Sequence, residues 1–101
     1  MANQLIEGMK SGKEEAIVNG LSHIGAIYRI NAICFSFLTK KTEQNVVSHI
    51  AALKEDETML DGYSVSDYAK AALSLMGVEQ YQGNNARIID LINSGFSFLV
   101  E

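Results

Sequence analysis

Residues 64–77, Ser64-Val65-Ser66-Asp67-Tyr68-Ala69-Lys70-Ala71-Ala72-Leu73-Ser74-Leu75-Met76-Gly77, decide the fold class. Val65, Ala69, Ala72, Leu73 and Met76 recur at helical spacing and make one apolar stripe. Ser64 or Ser66 can cap its start, because a serine oxygen accepts from the unpaired N–H groups of a first turn. The small side chains of Ala69, Ala71 and Ala72 predict close approach by a neighbouring helix. Gly77 predicts the stop, where a residue with positive φ is wanted. After a turn at residues 82–85, Ile88, Ile89, Leu91 and Ile92 predict a second helix over about 84–93, ended by Ser94-Gly95. Together they make a helical hairpin of the kind that stacks in repeats.

Upstream, the same periodicity predicts four more helices. Residues 3–10 place Leu5, Ile6 and Met9 on one side. Ser11-Gly12-Lys13-Glu14 has the spacing of a capping box and predicts a helix start, with Ile17, Val18, Leu21 and Ile24 inward and a stop at Gly25. Residues 26–39 are apolar nearly all round and predict the central, most buried helix. A strand is the other assignment open to Ile33-Cys34-Phe35-Ser36-Phe37-Leu38; segment length and the lack of strand partners favour helix. Lys40 and Lys41 suit its carboxyl end. Thr42 can cap a helix over 43–55 with Val46, Val47, Ile50 and Leu53 as its stripe. Residues 56–63 are acidic, contain Gly62 and predict a surface loop.

Length and composition bound the function. One hundred and one residues make one domain spanning 1–101, and 48% hydrophobic residues argue for a packed core. No apolar run is long enough to cross a bilayer, and the first ten residues lack the character of a secretory signal, so a soluble cytoplasmic protein is expected. Cys34 is the one cysteine, which excludes an internal disulfide. Net charge is −4 overall, but +1 over residues 1–50 and −5 over residues 51–101. An acidic half repels phosphate and attracts a basic protein, so a protein partner is expected and nucleic acid is not.

Chemistry-bearing residues are sparse. Cys34 lies in the most apolar segment, where a thiol is buried and unreactive; a nucleophile paired with His23 or His49 is the rival reading, with no flanking signature. The two histidines have no companions at zinc-ligand spacing, and the acids of 55–61 do not fit a calcium loop. No glycine run cradles a phosphate. The expectation is a protein that is not an enzyme and holds neither cofactor nor metal.

The helices also echo one another. Tyr28, Ala32 and Ile33 correspond to Tyr68, Ala72 and Leu73 at a spacing of 40 residues, a period proper to two-helix solenoids. On these residues, Val65-Ser66-Asp67-Tyr68-Ala69-Lys70-Ala71-Ala72-Leu73-Ser74-Leu75-Met76-Gly77 resembles the first helix of a HEAT-like repeat, and Asn85-Ala86-Arg87-Ile88-Ile89-Asp90-Leu91-Ile92 resembles its second. The helices at 27–39 and 43–55 would form the preceding unit and the first two helices a third. The resemblance implies an all-α, right-handed α-solenoid of about three antiparallel hairpins, with an irregular helical bundle as the alternative. It implies partner binding on a curved surface and carries over no catalytic residue. At class level, a small acidic helical-repeat protein is similar to bacterial toxin-immunity proteins, which occlude basic nuclease toxins. The expected partner-binding face is Glu55, Asp56, Glu57, Asp61 and Asp67 with Tyr63 and Tyr68. The rival role is a structural or regulatory subunit that self-associates through the apolar terminus Phe96-Ser97-Phe98-Leu99-Val100, so monomer or weak homodimer are both open.

Overall fold

A computed structural model describes residues 2–40, 43–60, 62–78, 88–90 and 92. Helix α1 spans Ala2–Lys10, α2 Glu14–Leu21, α3 Ala26–Leu38, α4 Gln44–Ala52 and α5 Val65–Leu75. A 3₁₀ turn, Leu53–Glu55, prolongs α4, and residues 88–90 are again helical. The chain is therefore mostly helical, as its periodicity predicts. Between the 3₁₀ turn and α5 lies a short antiparallel hairpin, β1 (Met59–Leu60) with β2 (Tyr63–Ser64). Met59 faces Ser64 and Leu60 faces Tyr63, with Gly62 at φ +91°. An Asp-Gly pair between apolar residues is a strong short-range hairpin signal.

Two boundaries differ from the sequence expectation. Ser11 does not open α2; its hydroxyl donates to the Glu7 carbonyl at 2.9 Å, behind it. Gly12 takes φ +76°, its N–H bonds the Met9 carbonyl at 3.0 Å, and the Lys13 N–H bonds the Gly8 carbonyl at 3.1 Å. That is a Schellman stop, so the glycine overrides the serine and the N-cap passes to Lys13. The same pattern closes α5 at Gly77, where it was expected. The second difference is at Gly25, which caps the start of α3 rather than ending α2. Ile24, expected inward, is consequently 93% exposed. The N-cap of α4 is Glu43; Thr42 and Lys41 lie outside the described residues.

The core is built around α3 and α5. Ile30, Ala32, Ile33, Cys34 and Phe35 are buried on α3; Val65, Tyr68, Ala69, Ala71, Ala72 and Leu73 are buried on α5. Helix α3 carries two buried polar residues that each donate to a carbonyl of their own helix, while the buried Asn31 Oδ1 has no partner among the described residues. The Asn31 amide donates to the Ile27 carbonyl at 2.9 Å, and the Ser36 hydroxyl to the Ile33 carbonyl at 2.8 Å. Met9, Ile17, Leu21, Val46, Ile50, Ile88 and Ile92 complete the buried set. The last two bring the described residues around 88–92 into the core. The turn at 82–85, Leu91 and the apolar terminus at 96–100 lie outside the described residues.

Packing partners are not those of simple successive hairpins. Helix α2 packs on α1, α3 and α4, and α5 packs on both α3 and α4. Helices α3 and α4, expected to form one unit, make at most marginal contact with each other. Among the described residues no helix is long and apolar enough to cross a membrane.

Candidate protein-binding site

Arg29 organises the expected face, although it was not part of that expectation. It sits in the first turn of α3, whose start is set by Gly25. Its Nη1 donates to the carbonyls of His23 at 2.7 Å and Ile24 at 2.9 Å, which belong to the connection entering the helix. Nη2 donates to Thr58 Oγ1 at 3.3 Å, and Nε lies 2.9 Å from Asp56 Oδ2. The Nε approach is ionic, without the alignment of a hydrogen bond. The two side chains are only 14% and 19% exposed, so the pair is shielded from much of the screening that weakens surface ion pairs. One guanidinium thus ties the α2–α3 connection to the acidic loop.

Asp56 is held from several sides. Its Oδ1 accepts the Thr58 N–H at 3.0 Å, closing a local turn. Burial alone would push its carboxyl up. The hydrogen bonds from Thr58 and the Arg29 charge together outweigh that and hold it below the usual carboxylate range. The Asp56 carbonyl accepts the Ser66 N–H at 2.7 Å, and the Thr58 carbonyl accepts the Val65 N–H at 3.0 Å. The Ser66 hydroxyl donates to the Lys54 carbonyl at 2.6 Å. The acidic loop is therefore stitched to the start of α5 along its length.

The start of α5 is a reciprocal capping box. Ser64 Oγ accepts the Asp67 N–H at 3.1 Å, and the Ser64 N–H points back to Asp67 Oδ2 at 3.5 Å. The Asp67 charge also complements the positive end of the helix dipole. Tyr68 is wholly buried, and its ring meets Tyr63 edge-on at a centroid distance of 6.3 Å.

Each expected residue can now be located. Glu55 and Glu57 are exposed, and Tyr63 is half-buried beside them on the same loop. Asp56 and Asp67 are half-buried, with carboxylates committed to Arg29 and Thr58 and to the helix start. Tyr68 is covered by the chain itself and packs edge-on against Tyr63. Asp61 lies outside the described residues. Two large apolar side chains, Ile24 and Met59 (61% exposed), are exposed on the segments that Arg29 joins and were not anticipated there.

The remaining polar residues have local duties. His23 Nδ1 accepts the Gly25 N–H at 2.9 Å and its ring packs on Tyr28 at 4.3 Å. His49 Nδ1 lies 2.8 Å from the Asn45 carbonyl, a geometry that places the proton on Nδ1. Cys34 is buried, and desolvation pushes its thiol far above its ordinary value. Among the described residues, no group of three His, Cys, Asp or Glu side chains is placed to hold a metal. Shallow depressions lie elsewhere, over α1 and α2 beside Gln4, Gly8 and Lys13, and between α2 and α4 beside Glu14 and Asn45. No protein-family model matches the chain, and no curated protein or solved structure is similar to it.

Proposed function

We propose that this chain is a non-enzymatic protein-binding module that captures a basic partner by occlusion, foremost a nuclease-like toxin as an immunity protein does. The observation that carries the proposal is an acidic loop bonded to Arg29 and to the start of α5. Residues 54–67 contain five acids against one lysine, and Glu55 and Glu57 of that set are exposed. A pre-ordered loop loses little conformational entropy on binding, and its charge speeds encounter with a cationic surface. The contact set is Glu55, Glu57 and Tyr63 at the front, with Asp56, Asp67 and Tyr68 holding them in place; Asp61, also part of the set, lies outside the described residues.

The HEAT-like stack is part of this proposal. Its support is the 40-residue echo, which extends to the aromatic pairs: His23 packs on Tyr28 as Tyr63 packs on Tyr68, each five residues apart. Against simple stacking, α2 and α5 each pack on both α3 and α4, an arrangement that favours the irregular bundle. Either architecture presents the same loop.

The test is affinity capture from the native host with immobilised wild-type chain and with the Glu55→Lys/Glu57→Lys variant. The expected result is a basic protein retained by the wild type and lost by the variant, with Tm unchanged because both sites are exposed. Equal retention by the two, or an acidic protein as the main catch, would overturn the proposal.

A further inference from the structure

Arg29 does more than staple two segments; it fixes what each of them displays. The Ile24 carbonyl and the Thr58 hydroxyl are bound by the two terminal nitrogens of one guanidinium. Ile24 and Met59, the residue after Thr58, therefore come from segments that converge on that point. They are 93% and 61% exposed. A single exposed aliphatic is ordinary on a protein surface; here two large ones are exposed on segments that Arg29 joins. Glu55 and Glu57 are exposed on the same loop, while the charges of Arg29 and Asp56 offset each other.

We infer that Ile24 and Met59 are the apolar centre of the binding face, and that they take an apolar side chain flanked by lysine or arginine on the partner. This rests on the proposed function and extends it from charge to a specific contact. Charge complementarity selects the occupant. A second copy of this chain would bring its own Glu55 and Glu57 against these, and like charges across an interface are costly. A cationic segment with a central aliphatic or aromatic residue satisfies both the acids and the two apolar side chains. Arg29 is a positioning residue in this scheme: it touches no partner and holds the two anchors in register.

The experiment is selection of a displayed random-peptide library on the wild-type chain, followed by titration of the synthesised winners. The expected winners carry one large apolar residue between lysines or arginines. Their affinity should fall about tenfold or more for Ile24→Ser and for Met59→Ser. Both variants should keep the wild-type Tm, since neither side chain is in the core. Basic winners that lose affinity for Glu55→Lys/Glu57→Lys yet bind Ile24→Ser and Met59→Ser at wild-type strength would overturn the apolar centre and leave the acidic-face proposal standing. Winners without basic residues would overturn both. Concentration-dependent dimerisation abolished by Ile24→Ser would assign the patch to a second copy and likewise overturn the inference.

Discussion

The entrances to α3 and α5 are built from similar parts and held by different means. Both open after an aromatic residue that packs on a tyrosine five positions later, His23 on Tyr28 and Tyr63 on Tyr68. At α5 the cap is local: Ser64 and Asp67 satisfy each other within four residues. At α3 the cap is glycine, and the carbonyls leading into the helix are satisfied by Arg29, which is in turn anchored by Asp56 and Thr58 from far along the chain. The α5 cap side chains come from within the entrance itself, although its first turn is also bonded to the acidic loop; at α3 the capping arginine is local, and what reaches it from far along the chain is Asp56 and Thr58.

This difference can be broken experimentally, most severely at Arg29. Arg29→Ala removes the donor for two carbonyls and leaves the Asp56 carboxylate without its ionic partner. The expected loss is about 2–4 kcal/mol in denaturant unfolding. A double-mutant cycle with Asp56→Ala should show strong coupling, because each single change strands the other partner. Additive effects would mean that the two side chains act independently.

Acid sharpens the same point. Asp56 has its folded-state pKa lowered, so its contribution is fully present above the unfolded carboxyl value of about 4 and is lost as pH falls through the folded value. The stability gap between wild type and Arg29→Ala should hold steady from neutral pH to about pH 5 and narrow below about pH 4. A gap that widens on acidification would contradict the ion pair.

A smaller effect is expected at the α5 entrance. Ser64→Ala should cost about 1 kcal/mol, the usual value of an N-cap side chain. Ser11→Ala, in the other Ser-x-x-acid stretch, should change stability by less than about 0.5 kcal/mol, because Ser11 caps no helix start and its hydroxyl is exposed. Equal losses at the two serines would contradict the Schellman stop at Gly12.

Legibility in the sequence follows the same division. Helical periodicity and local capping were readable: α3 as the buried helix, a serine cap at Ser64 or Ser66 that the structure places at Ser64, and the stop at Gly77 all depend on neighbours within a turn. Ser11 misled because its signature is shared with real N-caps, and the deciding fact, a positive φ at Gly12, is a property of the folded backbone. Asp61-Gly62 did carry a hairpin signal that a purely helical reading passed over. Arg29 carried none, since nothing in Tyr28-Arg29-Ile30 points to Asp56 or Thr58. The same tertiary contact decides which acids remain available: Asp56 is committed to structure, whereas Glu55 and Glu57 face solvent. Composition marked the acidic region but could not separate acids bound within the fold, such as Asp56, from exposed ones such as Glu55 and Glu57.

The central claim is that an acidic loop held rigid by Arg29 receives a cationic partner. Its most direct test is the association rate of the basic partner isolated by capture, measured at low and high ionic strength. For the wild-type chain the rate should fall steeply as salt rises, and for Glu55→Lys/Glu57→Lys it should be slow and nearly flat. The same salt dependence in both proteins would contradict the claim.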